Sequence, residues 1–168
     1  RNSKPVHISN YKPLKDDSFQ NQLISLIRKG QISVFGAKWD RVQISTHPLS
    51  YLSANIHLSL SKVCYGLMYP YQRGRSLSGR MWQAPIQGCI VISESDTNLF
   101  NCPGVFEVPH FENSLTALTI DSNAIAREAS QFWWEKTVEL AKQLNLSLNL
   151  DRLKLEIFIA QGLLVKQH

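Results

Sequence analysis

DDSFQNQLISLIRKGQISVFG, residues 16–36, carries the reading on which the fold turns. Asp16, Asp17 or Ser18 can accept hydrogen bonds from the first free N–H groups of a helix. Phe19, Leu23, Ile24 and Ile27 recur at helical spacing and give that helix one apolar face. Arg28 and Lys29 fall in its last turn, and Gly30 stands where a left-handed closing residue belongs. The chain passes at once into ISVF, an apolar run stopped by Gly36. Helix, tight turn, buried strand and glycine in that order describe an α/β protein with a parallel sheet. Strands of such a sheet are covered on both faces and read as unbroken apolar runs.

The same grammar repeats outward from this stretch. Upstream, HISNYKPL opens with a short extended piece closed by Pro13. Downstream, residues 40–60 fit neither period and are broken by Pro48. KVCYGLMYP (62–70) reads as a second buried strand, a helix follows over about 77–87, and CIVIS (89–93) is a third strand after Gly88. GVFEV (104–108) is a fourth. NSLTALTI and a longer pattern over 122–144 are helical, with Ile125, Ala129, Phe132, Trp133, Val138, Leu140 and Ala141 forming a broad apolar surface. LDRLKLEIFIAQGLLVKQ closes the chain with helical periodicity, interrupted by Gly162. The expected architecture is a three-layer, Rossmann-like α/β domain with a mostly parallel sheet, spanning 1–168 as one unit, with 122–168 as C-terminal helices. Phe132, Trp133 and Trp134 point in three directions around one helix, so at least one should lie exposed or be covered from outside this core.

Composition narrows the function classes. The chain has 168 residues, 43% of them hydrophobic and 18% charged, which describes a globular domain. No apolar run approaches the ~20 residues that cross a bilayer. The chain starts at Arg1 without methionine, which suggests a piece of a longer protein. Its three cysteines form no CxxC pair and no histidine lies at ligand spacing from them, which speaks against zinc. Cys64 and Cys89 lie in apolar runs as buried thiols, in keeping with a reducing, cytoplasmic setting; association with a membrane surface stays open. GxxxxGK[ST], GxGxxG and a hydrolase serine elbow are all missing.

Charge is unevenly divided. Residues 1–80 hold twelve Lys or Arg against three Asp or Glu, a net +9, whereas 81–168 hold six against ten, a net −4. The basic half calls for an anionic partner. Its densest part is RGRSLSGR (73–80), with Arg73, Arg75 and Arg80 ahead of a helix that begins after a strand. In doubly wound sheets ligands bind beyond the C-terminal ends of the strands, which is where this loop and Gly36 fall. Arg80 in the first helical turn could hold a phosphate with its fork, or pair as a surface group with Glu94 or Asp96. Ser76 or Ser78 is expected to cap the helix, Trp82 and Trp39 to pack in the core, and Glu94 to sit at a strand end within reach of a ligand.

Three segments in sequence, VFGAKW (34–39), SLSGRMWQAPIQGCIVISE (76–94) and NLFNCPGVFEVPHFENSLTALTI (98–120), carry a resemblance. From Ile32 to about Phe111 the chain resembles the C-terminal, donor-binding half of GT-B glycosyltransferases of the broad group-one type. That resemblance implies a nucleotide-diphosphate sugar as donor substrate, no other cofactor, and transfer to a glycan, lipid or protein acceptor. It implies a nucleotide-sugar site made by Gly36, Lys38, Arg75, Ser78, Arg80, Gln83 and Glu94. These enzymes usually carry a glutamate where Gln83 stands and often a second near the position of Arg75, so both carboxylates are replaced here. The architecture needs a second α/β domain for the acceptor, so this chain alone should be inactive.

A leaving diphosphate must have its charge stabilised, by a metal or by a helix N-terminus with basic side chains. Only the second device is visible, so metal-independent transfer is the expected mechanism, with the diphosphate on the N-terminus of helix 77–87. Two alternatives stand beside it: a supporting domain without catalysis, and a basic module binding nucleic acid or an acidic protein. The aromatic residues are not interleaved with the basic ones as a base-stacking platform, which speaks against nucleic acid.

Overall fold

The computed structural model describes residues 4–15, 17–69, 72, 78–98, 100–111 and 121–143. Among these residues five strands form one sheet: β1 (Val6–Ile8), β2 (Ser33–Phe35), β3 (Val63–Gly66), β4 (Ile90–Ser93) and β5 (Val105–Glu107). Their order across the sheet is β2-β1-β3-β4-β5 and every neighbouring pair is parallel. The helices are α1 (Ser18–Arg28), α2 (Tyr51–Leu60), α3 (Arg80–Ile86) and α4 (Ser122–Gln143), with a 3-10 turn at Trp39–Val42. The expected α/β, Rossmann-like class holds, and each of the four expected strands is present and parallel.

The segment from which the fold was read forms as written. Asp17 caps α1, accepting the Gln20 N–H at 2.8 Å, and Gly30 closes it with φ 69°. The buried line of α1 runs through Gln20, Leu23 and Leu26, while Phe19, Ile24 and Ile27 flank it half-buried. Gln20 faces inward because its amide is used: Oε1 accepts the Leu14 N–H and Nε2 donates to the Lys12 carbonyl, each at 2.9 Å. That pair of bonds fastens the segment after β1 to α1.

Alternation along the strands divides the core in two. Tyr65, Ile90 and Ile92 point to the α1 side, with Leu23, Leu26, Trp39 and Phe111. Cys64, Val91 and Val105 point to the other side, with Leu58 of α2 and Met81 and Ala84 of α3; Phe132 and Trp133 of α4 pack against the same group. The free cysteines are all buried, as expected of Cys64 and Cys89. Burial pushes the Cys64 and Cys102 thiols up to about 11, so both stay protonated at neutral pH.

Several local expectations need correction. The stretch 40–60 resolves into the 3-10 turn and α2, which starts after Pro48 with Ser50 as its cap. The third helix is shorter than 77–87: α3 starts at Arg80, and its capping position is Gly79, with no side-chain cap bond. Ser78 therefore does not cap it, and Ser76 lies outside the described residues. Trp82 is not in the core. It is 38% exposed, because a helix of seven residues turns only Met81, Ala84, Pro85 and Ile86 inward. Trp39, by contrast, is fully buried at 1%. Phe132, Trp133 and Trp134 are each half-buried, with Ala126, Ala129 and Ser130 as the buried line of α4 and Leu140 54% exposed. The helical readings of 113–120 and of the C-terminal stretch beyond 143 fall outside the described residues. Among the described residues no helix is long and apolar enough to cross a membrane.

Candidate functional site

The order β2-β1-β3 places a topological switch point between β1 and β3, where successive connections leave in opposite directions. β1 pairs with β2 over three positions, but with β3 only at Val6 and Cys64. Beyond that pair, side chains take the place of the ladder.

His7 makes the first such bond. It is completely buried; Nδ1–H donates to the Tyr65 carbonyl and Nε2 accepts the Ser9 hydroxyl, both at 2.7 Å. A carbonyl can only accept, so the proton of the neutral ring resides on Nδ1. Burial, and next the charge of Arg80, pull the His7 imidazole from 6.5 down to about 3, against the opposing pull of the Tyr65 carbonyl. The folded chain thus binds this proton less readily than the unfolded one. The resulting stability is present above the unfolded value of 6.5 and is lost as pH falls toward about 3. At about 1.4 kcal/mol per pH unit, this residue should remove about 2 kcal/mol between pH 6.5 and pH 5. Urea denaturation across that range should show the slope, and His7→Gln should flatten it.

Arg80 makes the second bridge. Its Nη1 donates to the Ile8 carbonyl at 3.0 Å and its Nη2 to the Leu67 carbonyl at 3.2 Å, spanning the ends of β1 and β3. The residue is half-buried, but the guanidinium itself is enclosed. Burial pulls the guanidinium below its usual range, while Cys64, Tyr69 and Glu94 pull it back up. It stays charged. Glu94, just past β4, is 1% exposed, and its Oε1 accepts the Met68 N–H at 2.8 Å. A buried carboxylate and a buried guanidinium thus share the crevice, each held by backbone groups as buried charges require.

The mouth is closed by loop contacts. The Tyr69 hydroxyl donates to the Asn10 carbonyl at 3.3 Å, and the Lys12 ammonium lies 5.0 Å from the centre of the Tyr69 ring. Asn10 Oδ1 accepts the Ala37 N–H at 2.8 Å, and the Trp39 indole N–H donates to the Ser9 carbonyl at 2.7 Å. The loops after β1, β2 and β3 are therefore joined to one another directly above the switch point.

Of the residues expected to form the site, Arg80 and Glu94 meet at the switch point. Gly36 adjoins it through the Ser9–Asn10 backbone, which leaves no room for a side chain. Lys38 is exposed at the start of the 3-10 turn, with φ 69°. Ser78 is half-buried, and its carbonyl accepts the Met81 N–H at 2.9 Å. Gln83 turns toward α2, donating from Nε2 to the Tyr51 hydroxyl at 3.4 Å. Arg75 lies outside the described residues. The first helical N–H groups are largely used: those of Met81, Trp82 and Gln83 all donate to the carbonyls of Ser78 and Gly79. An anion at this edge would meet the Arg80 charge rather than a row of free N–H donors. His7, Asn10, Lys12 and Tyr69 are additions that the sequence reading did not make. The signal for His7 was a histidine inside a short strand, where a buried polar ring needs two partners.

Among the described residues, no group of three or more His, Cys, Asp or Glu is placed to hold a metal ion. Comparison of the chain with protein-family models, curated proteins and solved structures gives no match.

Proposed function

We propose that this chain binds a nucleoside diphosphate, as the sugar-donor half of a glycosyltransferase of GT-B type, at the β1/β3 switch point. The observation that carries this reading is the charged Arg80 fork set between the ends of β1 and β3, in the crevice where doubly wound sheets take their ligands. Lys12 at the mouth adds a second positive charge. The three segments that carry the family resemblance coincide with the β2 end and 3-10 turn, with α3–β4, and with β5 and its flanks.

In this reading the diphosphate lies over the crevice, and the Arg80 charge steadies it as it leaves the sugar. Arg80 is held by two carbonyls before any ligand arrives, so no side-chain ordering is needed on binding. A second α/β domain would bring the acceptor and the base. Gln83 turns from this crevice toward Tyr51 of α2, so it gives the ligand no counterpart of the family's carboxylate.

Calorimetric titration of the full chain with UDP and GDP, beside a short single-stranded oligonucleotide, tests the proposal. Binding of one of the diphosphates is expected, weakened about two- to fivefold by Lys12→Ala, the scale of an exposed charge. Absence of heat for both diphosphates with a folded chain overturns the reading in favour of a supporting domain. Heat for the oligonucleotide alone overturns it in favour of nucleic-acid binding.

A further inference from the structure

At the junction of α2 and α3 the surface carries large aromatic side chains and, among the described residues of the two helices, no outward charge. Tyr51 is 67% exposed, Leu52 62% and Trp82 38%. α2, YLSANIHLSL, contains no Asp, Glu, Lys or Arg. The single charged residue of α3 is Arg80, whose guanidinium is turned inward onto Ile8 and Leu67. The two helices are joined here by the bond from Gln83 Nε2 to the Tyr51 hydroxyl. Gly79 lies against the same polar atoms: a Cβ built on it would lie 3.5 Å from Gln83 Oε1 and 3.9 Å from Trp82 Nε1, in ordinary contact with both.

The polar atoms at this corner are only partly used. Among the described residues the Trp82 indole N–H has no protein acceptor, the Tyr51 O–H has accepted one bond and donated none, and Gln83 Oε1 has no protein donor. This corner therefore presents two exposed aromatic side chains, two donors and one acceptor, all neutral.

We propose that this corner is a binding platform for a neutral carbohydrate ring. A pyranose has apolar C–H faces that lie on aromatic rings, and a rim of hydroxyls that both donate and accept. It also carries no charge, in keeping with helices that supply none. A nucleotide fits less well, since its phosphates would ask for cations that neither helix presents to solvent. The platform does not depend on the nucleotide reading: it is a second site, made by different residues from the switch-point crevice.

The test is a titration of the full chain with maltotriose, cellotriose, mannotriose and chitotriose, and with uridine and guanosine. It is followed by NMR of the indole N–H signals, with Trp82 assigned through Trp82→Phe. One trisaccharide is expected to move the Trp82 signal and leave that of buried Trp39 in place. Trp82→Ala and Tyr51→Ala should each weaken that saccharide about tenfold. Ile56→Ser, at an exposed position further along α2, should leave it unchanged. The proposal is overturned if none of the four saccharides moves the Trp82 signal, if the nucleosides move it instead, or if Ile56→Ser weakens binding as much as Tyr51→Ala. Calorimetry with UDP on Trp82→Ala separates the sites: diphosphate binding should persist when saccharide binding is lost.

Discussion

A Gly36→Ala chain is expected to lose about 3–5 kcal/mol of stability, a large fraction of what holds a small domain folded. Two causes combine. Gly36 has φ 140°, a backbone conformation closed to side-chain-bearing residues. A Cβ there would also stand 2.0 Å from the Ser9 carbonyl oxygen and 2.5 Å from its carbon, and both are backbone atoms that cannot swing aside. Moving Ser9 would not be local, because its carbonyl accepts the Trp39 indole N–H at 2.7 Å and its N–H donates to the Phe35 carbonyl at 2.9 Å. Displacement would disturb β1, β2 and the largest buried side chain together. Gly30→Ala provides the comparison. Its φ of 69° lies in the left-handed region that Lys38 also adopts, and the nearest atom to its Cβ would be the Lys4 ammonium at 4.0 Å. That variant should cost about 1–2 kcal/mol, and denaturant melts of the two would measure what the closed backbone conformation and the collision at Gly36 add together. Equal costs for both would show that the approach of Ser9 does not decide the matter.

Gly36 also shows how far the sequence could be read. A glycine at the end of a buried strand announces a close approach, and the approach is there. The approaching atom belongs to Ser9, twenty-seven residues earlier, and nothing local names it. The pattern was clearest where the determinants are neighbours in sequence. Asp17 capping α1, Gly30 closing it and the four-residue β4 following Gly88 are all of this kind. Arg80 was legible as a residue of the first helical turn but not in its direction. Its fork faces inward because its acceptors are the carbonyls of Ile8 and Leu67, which the strand order of the whole sheet brings together. His7 was missed for the same reason: its partners are Tyr65, fifty-eight residues away, and a serine whose N–H is held by the Phe35 carbonyl of β2. Trp82 was misplaced by the general tendency of large aromatic residues toward burial. The shortness of α3, visible only in the fold, decides which of its side chains reach the core.

Arg80→Met should destabilise the chain by about 2–4 kcal/mol, because removing one member of a buried polar set leaves the others unmet. The carbonyls of Ile8 and Leu67 would lose their donors, and Glu94 its positive neighbour. His7 would respond as well. The Arg80 charge is the second cause of its low value, so the His7 imidazole in the variant should titrate above about 3 and stability should survive to a different acid limit. Arg80→Lys keeps the charge but cannot reach two carbonyls with one planar fork, and about 1–2 kcal/mol of loss is expected. The pair of variants then separates two roles. If the charge of Arg80 serves a diphosphate, UDP binding should fall tenfold to a hundredfold in Arg80→Met and much less in Arg80→Lys, a difference of about 1.5–3 kcal/mol. If the residue only ties β1 to β3, binding should follow stability, and Arg80→Lys should lose affinity in proportion to its own melt. Denaturation of Arg80→Met with and without Glu94→Gln completes the argument. If the Glu94 and Arg80 charges are coupled, Glu94→Gln should cost less in the Arg80→Met background than in the wild-type chain; equal costs would show that they act independently.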